Sequence, residues 1–96
     1  MTEMNILEKV KQRLIKLKVP FTDLSLSDRP NKKIKIIING KIIHYGDKNS
    51  HTYIEGADEK KRNAYRARAS KIKNKNGQYT YLIKYTPNYL AYWTLW

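Results

Sequence analysis

Leu7, Val10, Leu14 and Leu17 recur at three- and four-residue spacing, with Ile6 and Ile15 widening the stripe. The period predicts an amphipathic helix from about Thr2 to Lys18. Thr2 or Asn5 can cap it, Glu3 and Glu8 lie in the early turns, and Lys16 and Lys18 lie in the last, an order that suits the helix dipole. Pro20 ends it, because the residue before a proline is pushed out of the helical region. Phe21 to Lys33 reads as a polar connector with turns at Asp28 and Pro30. Strict alternation then begins. Residues 33–45, with Asn39-Gly40 at their centre, predict a β-hairpin around a type I′ turn. A two-residue loop sets Ile38 opposite Lys41, Ile36 opposite Ile43 and Ile34 opposite Tyr45. Ile37 faces Ile42, and Lys35 faces His44, on the other side. Ile34, Ile36, Ile43 and Tyr45 are therefore the candidate core face, which a one-residue slip would lose. A lone hairpin is marginal in water and must pack on a helix or gain a strand.

Gly46 to Gly56 reads as a loop. From Asp58 to about Lys75 the composition favours a helix with acids at its start, three alanines and Asn76-Gly77 at its end. Its apolar face is narrow: Tyr65, Ala69 and Ile72. Gln78 to Tyr85 is a candidate strand with Tyr79, Tyr81, Ile83 and Tyr85 on one face. Thr86-Pro87 fits the cap and first position of a short closing helix through Trp93. The expected class is α+β, a single domain over 1–96, with residues 1–18 as a candidate docking arm.

Composition then limits the chemistry. The chain has 96 residues, 20 Lys+Arg against 8 Asp+Glu, and a formal charge of +12. Eight of its hydrophobic residues are Tyr, so the aliphatic supply for a core is thin. Such a chain repels itself, which makes a polyanion or an assembly partner the natural stabiliser. It has no Cys, which excludes disulfides, thiolate metal sites and a cysteine nucleophile. No apolar run approaches the length of a membrane span, and the first 25 residues hold no apolar core of a secretory signal.

The excess charge is concentrated. Lys60, Lys61, Arg62, Arg66, Arg68, Lys71, Lys73 and Lys75 fall within sixteen positions that hold no acid. Like charges one turn apart weaken a helix, so this is a costly way to gain solubility. Lys61, Arg62, Arg66, Arg68, Lys71, Lys73 and Lys75 are the candidate nucleic-acid or anion-binding residues. An acidic protein surface and a merely solvated face are the competing readings. The last twenty residues carry Lys84 as their one charge and seven of the eleven aromatics. Tyr85, Tyr89, Tyr92, Trp93 and Trp96 are candidate protein-interface residues, since Tyr and Trp dominate interface hot spots. Base stacking and plain core closure are their alternatives. His44, Asp47 and His51 form the one cluster with catalytic or metal-binding potential, at spacings that fit no metal or nuclease motif. The expectation is a protein that is not an enzyme, with no cofactor and no metal.

His44-Tyr45-Gly46-Asp47, Tyr53, Asp58-Glu59-x-x-Arg62-x-x-Tyr65-x-x-Arg68 and Trp93-x-Leu95-Trp96 carry a resemblance over about residues 33–96. On these the chain resembles small basic proteins of unknown function from large DNA viruses and tailed phages. It departs from their pattern at Ala69, after Arg68, and at Tyr89 and Tyr92, where many members have a second Trp. The resemblance implies a viral protein carried in or on the particle. With the charge distribution, it gives the expectation of a structural virion protein of a double-stranded DNA phage or virus, an auxiliary or minor capsid component. Its partners would be other virion proteins, packaged double-stranded DNA and a second copy of the chain. It would reside in the host cytoplasm before assembly. The alternative is a nucleic-acid-binding protein acting in the infected cell outside the virion.

Overall fold

The computed structural model describes residues 5–96. A helix start at Thr2, a Thr2 cap and the Glu3 charge lie outside the described residues. Helix α1 (Ile6–Lys16) is capped by Asn5, whose side-chain oxygen accepts from the Glu8 N–H at 3.0 Å. Val10 and Leu14 are buried, while Ile15, expected on the apolar stripe, is 60% exposed. The helix ends two residues before the predicted Lys18. Lys18 takes a left-handed φ of 58°, and the N–H groups of Lys18 and Val19 return to the carbonyls of Ile15 and Leu14. That closure satisfies the last carbonyls before Pro20 is reached.

Phe21–Leu26 is strand β1, not a polar connector. It pairs antiparallel with β2 (Lys32–Ile38), placing Leu24 beside Ile36 and Leu26 beside Ile34. A register shift between Phe21 and Asp23 leaves Thr22 as the extra residue. β1 supplies the third strand that the hairpin needs. β2 also pairs antiparallel with β3 (Lys41–Asp47), in the order β1-β2-β3. Ile34 meets Tyr45, Ile36 meets Ile43 and Ile38 meets Lys41, the partners that the alternation predicted. Asn39 and Gly40 both have positive φ, 52° and 78°, as a type I′ turn requires. Ile34, Ile36 and Tyr45 are completely buried, and Ile43 is half-buried.

The chain divides into two compact units, Met1–Ser50 and His51–Trp96. The first holds α1 and the sheet. The second holds α2 (Glu59–Ala69) and α3 (Pro87–Thr94), with 3₁₀ turns at Tyr53–Glu55 and Thr80–Leu82. Asp58 caps α2 by accepting from the Lys61 N–H at 2.8 Å. Thr86 caps α3 by accepting from the Tyr89 N–H at 3.1 Å, with Pro87 in its first turn.

Two expectations for the second unit fail. The basic helix stops at Ala69, not Lys75, because tertiary and turn bonds intervene. The Asn88 side chain donates to the Ala69 carbonyl at 3.0 Å. Asn74 then closes a turn, its side-chain oxygen accepting from Asn76 N at 2.9 Å and Gln78 N at 3.0 Å. The candidate strand 78–85 is a 3₁₀ turn, and a single bridge from Lys73 to Tyr79 is what remains of sheet pairing. The Thr80 N–H bonds Ile72 and its carbonyl accepts from the Thr86 hydroxyl, so its backbone groups are satisfied without a neighbouring strand.

Candidate functional site

The basic segment has two faces in the second unit. Successive residues of a helix step by 100°, so Arg62, Tyr65, Arg66 and Ala69 share one side of α2. This is the side that meets the aromatic C-terminal segment. Tyr65 stacks on Trp96 with ring centroids 4.4 Å apart and planes 12° from parallel. Arg62 Nε and Arg66 Nη2 both donate to the main-chain oxygen of Trp96, at 2.9 and 3.1 Å. The Arg62 guanidinium also lies 4.2 Å from the Tyr53 ring centre and 3.6 Å from the Glu59 carboxylate. Tyr53 donates its hydroxyl to the same carboxylate oxygen at 2.6 Å. Arg66 lies 5.1 Å from the Tyr92 ring centre, and its buried Nε has no hydrogen-bond partner. Burial pushes the Tyr65 hydroxyl above its ordinary pKa, against the opposing pull of the Arg68 charge.

The opposite side of α2 carries Lys60, Lys61 and Arg68, all exposed, around exposed Ala64 and Ala67. Both acids at the start of the helix are committed elsewhere, Asp58 to the cap and Glu59 to Tyr53 and Arg62. Lys71, Lys73 and Lys75 are exposed in the segment that follows, with Lys73 Nζ 4.9 Å from the Tyr79 ring centre. Of the seven cations expected to share an anion site, Lys61 and Arg68 therefore lie on one helix face. Arg62 and Arg66 lie on the other, and three have left the helix.

The aromatics proposed for an interface form a ring cluster within their own unit. Trp96 is 4% exposed and Tyr89 is buried, while Tyr85, Tyr92 and Trp93 are half-buried. Trp93 donates its indole N–H to the Tyr81 carbonyl at 2.9 Å and has Tyr92 4.8 Å away, centre to centre. Tyr85 and Tyr89 meet edge to face at 6.2 Å. Tyr85 holds a left-handed φ of 72°, a strained conformation for a bulky residue. Leu95 is fixed as well, its carbonyl accepting from the Ile54 N–H at 3.2 Å.

His44, on β3, has Nδ1 2.8 Å from the Ser27 hydroxyl, which also accepts from the Arg29 N–H. Asp47 binds the Asn49 N–H and the Ser50 hydroxyl within its own turn, and His51 belongs to the second unit. Among the described residues no group of three acids or histidines is placed to hold a metal ion. No described helix is long and apolar enough to cross a membrane.

Sequence reasoning missed the grip on Trp96. A signal was present: Arg62 and Arg66 are one turn apart with Tyr65 between them, and guanidinium groups stack on rings as ammonium groups do less often. Tyr53, Glu59, Arg62, Tyr65 and Trp96, all in the motifs that carried the resemblance, meet in this one cluster.

The model of a family of unknown function (DUF5754) matches residues 22–69. An uncharacterized protein, L851, of Acanthamoeba polyphaga mimivirus is 32% identical over 96 residues, covering 95% of this chain and 96% of the relative. The chain belongs to the DUF5754 family. The DUF5754 match runs from β1 through the end of α2, so it takes in the strand the sequence reading missed and stops before the aromatic segment. Both likenesses fit a small viral protein of unknown function, and neither brings an activity with it. No solved structure matches the chain.

Proposed function

We propose that this member of a viral protein family binds nucleic acid, with the outer face of α2 as its phosphate-contacting surface. One observation carries the reading: α2 sorts its cations. Arg62 and Arg66 are spent on Trp96 and two tyrosines, whereas Lys60, Lys61 and Arg68 stand exposed with no acid between them. A helix face holding only alanine and asparagine between exposed cations gains nothing in its own stability from them, and an array of phosphates supplies the missing counter-charge.

Binding of labelled DNA, followed by anisotropy across a salt series, tests this. Three phosphate contacts give a slope of log K against log salt of about −3. The variant Lys60→Glu/Lys61→Glu/Arg68→Glu should lose binding at every salt concentration. Unchanged affinity in that variant would remove the reading.

A second reading is an auxiliary or minor capsid component that meets other virion proteins. It draws support from the segment after α2, where Ile72, Tyr79 and Leu82 are 50%, 43% and 58% exposed. Large apolar side chains grouped in one short segment suit a protein partner. Recovery of the chain at fixed stoichiometry from purified particles would favour it, and complete absence from particles would end it. Neither reading assigns a reaction to the chain.

A further inference from the structure

Resting on the nucleic-acid reading above, we infer that the ligand of α2 is a double helix gripped by its phosphates, with no base stacked on the protein. Proteins that hold single strands pair a cationic groove with open aromatic rings, each stacked base contributing about 1–3 kcal/mol. Here the rings nearest α2 are already occupied. Tyr65 and Trp96 cover each other at 4.4 Å, and Tyr53 and Tyr92 each lie under a guanidinium. All of these contacts lie on the inner side of the helix. The outer side, between Lys60 and Arg68, carries Ala64 and Ala67 and no ring.

Geometry favours the duplex for a second reason. A rise of 1.5 Å per residue puts Lys60 about 12 Å from Arg68 along the axis, close to the width of a B-form major groove. The two small alanines between them let the helix backbone come close to a ligand surface while the long cationic side chains reach past. The Asp58 cap and the hold of Arg62 and Arg66 on Trp96 fix the helix at both its start and its inner face. Cations at a fixed spacing match a regular array of phosphates, which a duplex has and a flexible single strand lacks. Each contact also releases more counterion from a duplex, with a coefficient of about 0.9 against about 0.7.

The test is a competition between a labelled duplex and its own single strand, of equal length, for the full chain across a salt series. The duplex should win, its advantage growing by roughly fourfold per decade of salt dilution from counterion release over three contacts, with emission from Trp93 and Trp96 unchanged on saturation. Tyr79→Ala should leave duplex affinity within about twofold, because that ring is the most exposed aromatic among the described residues and serves no stack here. A single strand that binds as tightly, quenches the tryptophans or depends on Tyr79 would overturn the inference and leave the nucleic-acid reading standing. Failure of both strands to bind would overturn that reading and this inference together.

Discussion

The two units differ in what surrounds their buried aliphatic side chains. In the first, Ile34, Ile36 and Ile38 on β2 and Val10 and Leu14 on α1 are buried aliphatics placed by two simple periods. In the second, Leu90, Leu95 and Trp96 are buried, and half-buried rings gathered around them make polar contacts as well. Trp93 donates to a carbonyl, Tyr53 to a carboxylate, and Tyr53 and Tyr92 lie under arginines. Aliphatic burial asks only for area, whereas a half-buried ring with a polar edge asks for partners in fixed places. The difference explains how a segment with eight cations in sixteen residues can belong to a folded unit. Two of its arginines are half-buried against Trp96 and its neighbouring rings, which leaves the outer cations free of a structural task.

The largest expected effect is at Trp96. Trp96→Ala removes the Tyr65 stack and a buried indole, and should cost about 3–5 kcal/mol. Hydrogen exchange would show it as lost protection of the α2 and α3 amides. Unchanged protection there would break the claim that Trp96 ties α2 to the C-terminal segment. The aliphatic counterpart is Ile36→Ala, with an expected loss of about 2–5 kcal/mol in the amides of β2 and β3. Arg66→Met comes next, at about 1 kcal/mol. It removes the bond to Trp96 and the contact with Tyr92, and also removes the unpaired buried Nε, whose desolvation cost offsets part of the loss.

The smallest effect is in alkali. Burial raises the Tyr65 pKa in the folded state, so its contribution to stability is complete below the ordinary tyrosine value and is lost as pH rises through the folded value. Tyr89 is raised as well, by burial first and then by Tyr85. Stability of the second unit should therefore decline above about pH 10, and Tyr65→Phe should flatten that decline. An unaltered alkaline profile in the variant would place the effect elsewhere.

The sequence disclosed most where local rules suffice. Alternation around Asn39-Gly40 specified the hairpin and its register, and Asp58 and Thr86-Pro87 marked two helix starts. β1 escaped because Leu24 and Leu26 are its only aliphatics among Thr22, Asp23 and Ser25, a composition that also suits a loop. An edge strand can be that polar because its pairing to β2 supplies what its side chains do not. The end of α2 was illegible for another reason: it depends on Asn88, nineteen positions away. The candidate anion site was half legible. Charge density marked the segment proposed to meet phosphates, but a count of charges treats Arg62 and Lys61 alike. Which of them turns inward depends on where Trp96 lies, and that is tertiary information.

On the proposed function, α2 has a structural inner face and an outer face that meets phosphates. Two double variants compared in one experiment test it most directly: Arg62→Met/Arg66→Met and Lys61→Ala/Arg68→Ala. Each is measured for exchange protection of α2 and for duplex affinity, at a temperature where circular dichroism shows it folded. The inner pair should lower protection and leave affinity within about twofold, while the outer pair should leave protection intact. The outer pair should also make the salt slope shallower by about 2. Equal losses of affinity from both pairs, or none from the outer pair, would contradict this division of faces.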